Sequence, residues 1–414
     1  MDQETTGAIS TQQPTPSAFR FNGIWQDFAK IAFPNLLLAI VTLGIYRFWG
    51  TTREREYLWS KTDFIDEPLE WTGRGIELFI GFVVAFFLII LPLVFLQFGV
   101  QALTLQGHPV IAIILGVLAF VMIFYLSGVA RFRALRYRLS RTYWRGIRGG
   151  SDEQGLSFAV SYMWKTFVGW LPLYLMVPWS MITLWNERWN AMSFGPYRFS
   201  SNASWTSLMK RYLLFYLVPF LLFVGAIILA ISEHAKQGSG EGGGPLAILG
   251  VVFIIFAVLA VYILLPIASL LFFSKFYRVA VGGLRLQELE FEFKARAADW
   301  ILLFLGHIGV SIAAYTIAAI PISILSAATL FDLKSIMQGA EVSVPTIIAL
   351  GVAAAIAILP LGMVSPLVRY RNWKFFVTHM EVYGEINLDT LTQSETASPS
   401  QGEGLLDAFD VGAI

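Results

Sequence analysis

Phe167-Val-Gly-Trp-Leu-Pro-Leu-Tyr-Leu-Met-Val-Pro-Trp-Ser-Met-Ile-Thr-Leu-Trp185 is apolar almost throughout and interrupted by Pro172 and Pro178. Each proline removes a helical hydrogen bond and crowds the preceding turn. In hydrocarbon the backbone groups so freed must find partners inside the protein or around a cavity. Whether this stretch crosses a membrane decides how every other apolar stretch is threaded.

Six others are longer, at about 76–95, 110–128, 213–231, 246–270, 301–322 and 346–367. Each offers the roughly 20 apolar residues a helix needs to cross a hydrocarbon core of about 30 Å. A further stretch, Ile31 to Tyr46, is short and carries Pro34 and Asn35. With 56% hydrophobic and 14% charged residues and a mean hydropathy of +0.65, the chain reads as an all-α polytopic membrane protein.

Charge sets the threading, because Lys and Arg in short loops stay cytoplasmic. If all eight stretches cross, the 29 basic residues divide almost evenly between the two sides. If only the six cross, with the N-terminus inside, Lys236 and Lys334 alone lie outside. The bias selects six transmembrane helices, two broken helices that are re-entrant or interfacial, and cytoplasmic termini.

The cytoplasmic connections repeat a pattern of basic helix end, strand, turn and strand. Phe19-Arg-Phe21, Leu69-Glu-Trp71, Leu156-Ser-Phe158, Tyr197-Arg-Phe199 and Phe291-Glu-Phe293 each set two apolar residues two apart before an apolar helix. Tyr277 to Lys294 reads as a hairpin turning at Gly282-Gly283, with Leu289, Phe291 and Phe293 alternating with glutamates. Turn chemistry recurs at Asp66-Glu67-Pro68, Gly149 to Gly155 and Gly195-Pro196, and Val377 to Ile386 alternates once more. Small cytoplasmic β-hairpins follow. Residues 1–18 read as a disordered N-terminal segment without a cleaved signal peptide, 19–386 as a membrane domain with partial internal repeats, and 387–414 as a disordered tail.

Asn35, Thr42-Leu-Gly-Ile-Tyr46, Trp49, Leu69-Glu-Trp-Thr-Gly73 and Arg141-Thr-Tyr-Trp-Arg-Gly-Ile-Arg148 resemble the YjgN-like family of bacterial inner-membrane proteins, over residues 17 to 385 or so. That resemblance implies a bacterial inner-membrane location and no mechanism, since the family is one of unknown function. In the second half Leu184-Trp185-Asn186 stands where a repeat of Thr-Leu-Gly is expected.

Candidate chemistry is sparse. The chain has no cysteine and four histidines, none at metal-pair spacing, and no Walker loop, nucleophile elbow or carboxylate pair lies in a span. No metal, cofactor or nucleic-acid partner is expected, and no enzymatic activity. His307 is the titratable group well inside a span, and its neighbours Gly306, Gly309 and Ser311 favour a helix-packing role over a proton relay.

The densest charge, Arg131, Arg133, Arg136, Arg138, Arg141, Arg145 and Arg148 with Trp144, is either a topology determinant or a grip on phospholipid headgroups, each cation contributing about 1 kcal/mol near an anionic leaflet. Pro34, Asn35, Pro172 and Pro178 mark helix breaks that line a pathway or merely bend interfacial helices. Leu405, Leu406 and Phe409 share one face if the end of the chain turns helical, which suits docking to a cytoplasmic protein. Two functions result: a conduit or carrier for uncharged or amphiphilic molecules including lipids, or a scaffold recruiting partners through its hairpin face and tail.

Overall fold

The computed structural model describes residues 18–171, 173–238, 245–337, 344–385 and 391–397. Its order is strand, two helices, strand, five times over. The first unit is β1 (Phe19–Phe21), α1 (Trp25–Val41), α2 (Arg47–Ser60) and β2 (Thr62–Phe64). The second enters through β3 (Glu67–Pro68) and β4 (Glu70–Trp71). It continues through α3 (Gly75–Ala85), a π-turn at Phe86–Ile90, α4 (Leu91–Leu105) and α5 (Pro109–Arg141), and leaves by β5 (Thr142–Trp144). The third is β6 (Ile147–Gly150), α6 (Leu156–Trp170), α7 (Val177–Asn190) and β7 (Ser193–Phe194). The fourth is β8 (Tyr197–Ser201), α8 (Thr206–Gly238), α9 (Pro245–Gly282) and β9 (Leu284–Leu286). The fifth is β10 (Leu289–Phe293), α10 (Ala297–Met337), α11 (Val344–Thr378) and β11 (Met380–Tyr383).

Within every unit the entering strand pairs antiparallel with the leaving one. The innermost pairs are Phe21↔Thr62, Trp71↔Thr142, Gly150↔Ser193, Ser201↔Leu284 and Phe293↔Met380. Between units, two-residue turns join the strands, and their first residues, Ile65, Arg145, Gly195 and Gln287, have φ of 60°, 51°, 54° and 53°. Positive φ at that position matches the twist of a tight hairpin. Each strand therefore serves two partners: Ile147 and Arg148 pair with β5, Gly149 and Gly150 with β7.

The hairpins are not separate. They fuse into an eight-stranded sheet, β11-β10-β9-β8-β7-β6-β5-β4, and a three-stranded sheet, β1-β2-β3. Leu69 joins β3 to β4 while donating its N–H to Thr62 O at 2.8 Å, and β1 lies alongside β11. The result is a nearly closed ring of strands. Short strands that split between two neighbours leave few open edges, a long-range property that alternation within one hairpin cannot display.

Three local expectations change with it. Leu156-Ser-Phe158 opens α6 and is not a strand, because Gly155 takes φ 83° at the helix entrance; the strand is Ile147–Gly150, whose glycines hide its alternation. The last hairpin turns at Gln287-Glu288, not at Gly282-Gly283. Gly283 is needed instead for close approach, since a Cβ there would sit 2.6 Å from the Ala203 backbone nitrogen. The final strand is confined to Met380–Tyr383.

Among the described residues five helices are long and apolar enough to cross a membrane: Gly75–Leu105, Pro109–Arg141, Tyr262–Gly282, Ala297–Ser323 and Ile347–Thr378. The stretch 213–231 lies in α8, which has 33 residues. Apolar side chains on these helices stay uncovered by protein, as with Leu88 at 72% and Ile113 at 66% exposure, the surface expected to face lipid.

The pairs α1/α2 and α6/α7 differ. Their helices have 17, 14, 15 and 14 residues, about 21–26 Å at 1.5 Å per residue, too short for a core of about 30 Å. Each pair packs on itself as a helical hairpin. The first breaks at Leu43 and Gly44, with φ of 50° and 91°, inside Thr42-Leu-Gly-Ile-Tyr46, and the second at Leu173 and Tyr174, with φ of 50° and 62°. Leu173-Tyr174, not Leu184-Trp185-Asn186, is the counterpart of Leu43-Gly44. Pro34 lies within α1, away from the break.

Aromatic packing joins the last unit to the first. Trp373 stacks on Trp59 at 4.0 Å and donates its Nε1–H to Thr62 Oγ1 at 2.9 Å, and the Tyr370 hydroxyl donates to Gly23 O at 2.9 Å.

Candidate functional site

Helical periodicity divides the arginine cluster. At 100° per residue Arg131 and Arg138 fall within about 20° of one another on α5, while Arg133 and Arg136 face the opposite side. Five of the cluster make polar contacts that hold the fold together. Arg133 Nε donates to Gln154 O at 3.2 Å. Arg141 forms a bidentate pair with Glu77, both contacts 3.0 Å, and the Tyr137 hydroxyl donates to the same carboxylate. Arg145 pairs with Asp66. Trp144 is buried, its Nε1–H bonded to Phe64 O at 3.0 Å. Arg136 donates to the Ala397 carbonyl and Arg148 to that of Thr396. Five of the seven arginines and the tryptophan thus hold the fold together.

Arg131 and Arg138 face a cavity of about 460 Å³ between α5, the broken pair α6/α7 and α9. Its third cation is Arg188, from the last turn of α7, which the sequence reading passed over because it follows the apolar stretch. Arg188 lies at the sheet end of α7, just before Asn190, whose side chain bonds the Ser201 backbone. No Asp or Glu is among the described lining residues. The nearby Glu187 points elsewhere, to Lys165 at 2.5 Å.

The walls are aromatic. The Arg131 guanidinium lies over Tyr162 at 5.3 Å and that of Arg188 over Trp185 at 5.8 Å, with Trp170 and Phe276 completing the lining. Gly169 lets the hairpin close here, since a Cβ would come 3.1 Å from Ser180 Cβ. Arg188 Nε is fully enclosed and has no hydrogen-bond acceptor. Burial, and repulsion by Arg138 and Arg131, hold its guanidinium down to about 10. Three guanidinium groups on an aromatic-walled cavity without a lining carboxylate can accept an anionic group attached to an apolar body.

The other candidate residues are dispersed. Pro178 is fully buried in the first turn of α7, close to this cavity, and Pro172 lies outside the described residues. Asn35 is buried, donates to Gly50 O at 3.2 Å and lines a separate cavity of about 390 Å³ between α1/α2 and α11, together with Glu54 and Arg369. His307 lines a third, about 320 Å³, beside Asn372, and its Nε2 is enclosed without a partner. Phe273 and Tyr277 of α9 line both that cavity and the arginine cavity. Leu405, Leu406 and Phe409 lie outside the described residues.

Residues 16–408 match the model of a family described as a bacterial protein of unknown function, DUF898. The chain is similar to the inner membrane protein YjgN of Salmonella typhimurium, 24% identical over 169 residues, and to that of Escherichia coli K12, 24% identical over 173 residues. These matches cover 41% of this chain and 38% of each relative. No solved structure matches.

Proposed function

Because the chain belongs to the DUF898 family of bacterial proteins of unknown function, and its site must speak for itself, we propose that it is a non-enzymatic inner-membrane carrier or conduit for anionic amphiphiles of the phospholipid kind. The observation that carries this reading is the arginine cavity: a buried guanidinium group whose Nε has no acceptor, beside two other guanidinium groups and walled by aromatic rings. A phosphate group would satisfy the floor and acyl chains would follow the apolar helices. Backbone broken at Leu173-Tyr174 is tolerated at depth where it borders a cavity. At that break the Tyr174 carbonyl accepts the Tyr212 hydroxyl at 2.7 Å, so a backbone group freed there finds a partner within the protein.

In this reading six helices span, α1/α2 and α6/α7 re-enter, and the strand ring lies in the cytoplasm. The chain's lack of cysteine makes the topology directly testable. In spheroplasts an impermeant maleimide should label Gln106→Cys, between α4 and α5, and leave Ser200→Cys on β8 unlabelled until the membrane is opened. Labelling of Ser200→Cys in intact spheroplasts would overturn the arrangement.

The binding reading predicts that protein purified in mild detergent retains phosphatidylglycerol in preference to phosphatidylcholine, read by native mass spectrometry, and that reconstituted vesicles show protein-dependent movement of a labelled anionic lipid. Equal retention of both lipids together with no flux would end it.

A further inference from the structure

The five units place equivalent residues at equivalent positions of the ring, and one unit departs from the rest. Aligned on the innermost strand pairs, Phe21, Trp71 and Phe293 correspond to Gly150, and Phe19, Leu69, Phe199 and Phe291 correspond to Arg148. Four units fill the second of these positions with an apolar side chain. The third puts a guanidinium group there and, two residues on, no side chain at all. Unit four has Ser201 at the Gly150 position, and its hydroxyl is satisfied locally by Asn186 Oδ1 at 2.8 Å. Unit three has no such local filler and holds a polar notch.

Residues 391–397 fill that notch from beyond β11. Arg148 Nη2 donates to Thr396 O at 2.6 Å and its backbone N–H to Gln393 Oε1 at 3.2 Å. Gln393 Nε2 donates to Gly146 O at 2.8 Å. Ser394 is buried at 7% exposure and shares a 2.8 Å hydrogen bond with Thr396 Oγ1. Glycines on the floor let the segment approach closely: a Cβ on Gly150 would crowd Thr396 Oγ1, and one on Gly195 would sit 2.7 Å from Thr392 O. In the strand order β6 is halfway round the ring from β11, so the segment reaches the far side of the ring from the strand that precedes it.

Polar groups, not apolar burial, carry this contact, and Arg148 Nη1 is enclosed without an acceptor. A contact made of a few hydrogen bonds, each contributing about 1 kcal/mol net, is weak enough to exchange. We propose that the Arg148–Gly150 notch is a peptide-recognition site for an extended Gln-Ser-x-Thr segment, and that residues 391–397 are its exchangeable occupant.

The full-length chain tests this with Thr396→Cys as its single thiol. Maleimide labelling of that thiol should be slow, and should accelerate about tenfold, a change of about 1.4 kcal/mol in docking, when synthetic Leu391-Thr-Gln-Ser-Glu-Thr-Ala397 peptide is added in excess. A scrambled peptide should leave it slow. Gly150→Val, which fills the notch, should give the fast rate without peptide. Independently, Gly150→Cys with Thr396→Cys should oxidise to an intramolecular disulfide, since an ideal Cβ on Gly150 lies 3.3 Å from Thr396 Cβ, and the free peptide should suppress that cross-link. A fast rate unaltered by Gly150→Val, with no cross-link, would show that the segment does not dock. A slow rate that the peptide cannot move would show a fixed strut and overturn the proposal.

Discussion

Arg188→Met is expected to raise the melting temperature of delipidated protein and to abolish its stabilisation by anionic lipid. The guanidinium group is held down to about 10, well below its ordinary value, by burial and by Arg138 and Arg131. A cation whose folded value is depressed binds fewer protons folded than unfolded, so its cost is fully present below pH 10 and is relieved only as pH climbs from there towards the ordinary guanidinium value. At neutral pH the whole penalty stands, about 3 kcal/mol at 1.36 kcal/mol per unit. Against it the substitution loses the contact with Trp185, about 1 kcal/mol. The balance favours Met by about 2 kcal/mol, a shift of a few degrees. A bound phosphate removes the same penalty in the native protein, so wild type should gain about 2.7 kcal/mol at a lipid concentration of one hundred times Kd, and Arg188→Met should not. Thermal unfolding with and without phosphatidylglycerol reads both effects. Melting lower than wild type with the lipid response intact would make Arg188 an ordinary structural residue.

Much of the fold was legible because hydrocarbon imposes its own length and charge rules. The six long stretches all fall within long helices, and both shorter ones proved to be helical hairpins. What escaped was the ring. A strand such as Ile147–Gly150, four residues with half of them glycine, has no period to read, and its pairing with β5 and β7 lies in residues contributed by other units. The prolines guided the two breaks unequally, for Pro178 opens α7 just after the second break but Pro34 does not mark the first. Pro34 is accommodated inside α1, whereas the chain reverses where Leu43 and Gly44, or Leu173 and Tyr174, take positive φ, and only Gly44 announces that in its side chain.

The site was half legible for a similar reason. Seven arginines in one stretch look like a single basic patch, yet a helix followed by a hairpin points them in several directions, and Glu77, Asp66 and the 391–397 segment each claim some of them. Only Arg131 and Arg138 share a helical face with the cavity. Arg188 completes it from a different helix, and its significance lies in a cavity wall whose described residues include no carboxylate, which no linear reading displays.

The first helical hairpin shows the opposite solution, and breaking it should be the costliest change in the molecule. Glu54, with its side chain 6% exposed, meets Arg369 at 2.7 Å, and the pair ties α2 to α11 beside the cavity that Asn35 lines. Glu54→Ala leaves the Arg369 charge in place and takes its carboxylate away, which for a buried pair costs about 3–5 kcal/mol. Replacing both partners, as Glu54→Met with Arg369→Met, should recover most of that, because an apolar pair of similar volume is often neutral against a buried ion pair. The double-mutant cycle, read by thermal unfolding in detergent, should therefore show strong coupling between the two positions. Additive losses would mean that the two side chains act independently and that the pair is not the tie between units one and five. Lipid response should survive in the double variant, since neither substituted residue lines the arginine cavity, which is built from α5, α6, α7 and α9. Glu54 answers Arg369 from within the chain, whereas no Asp or Glu among the described residues lines the cavity that holds Arg188, which is why the anionic partner is assigned to the second hairpin and not to the first.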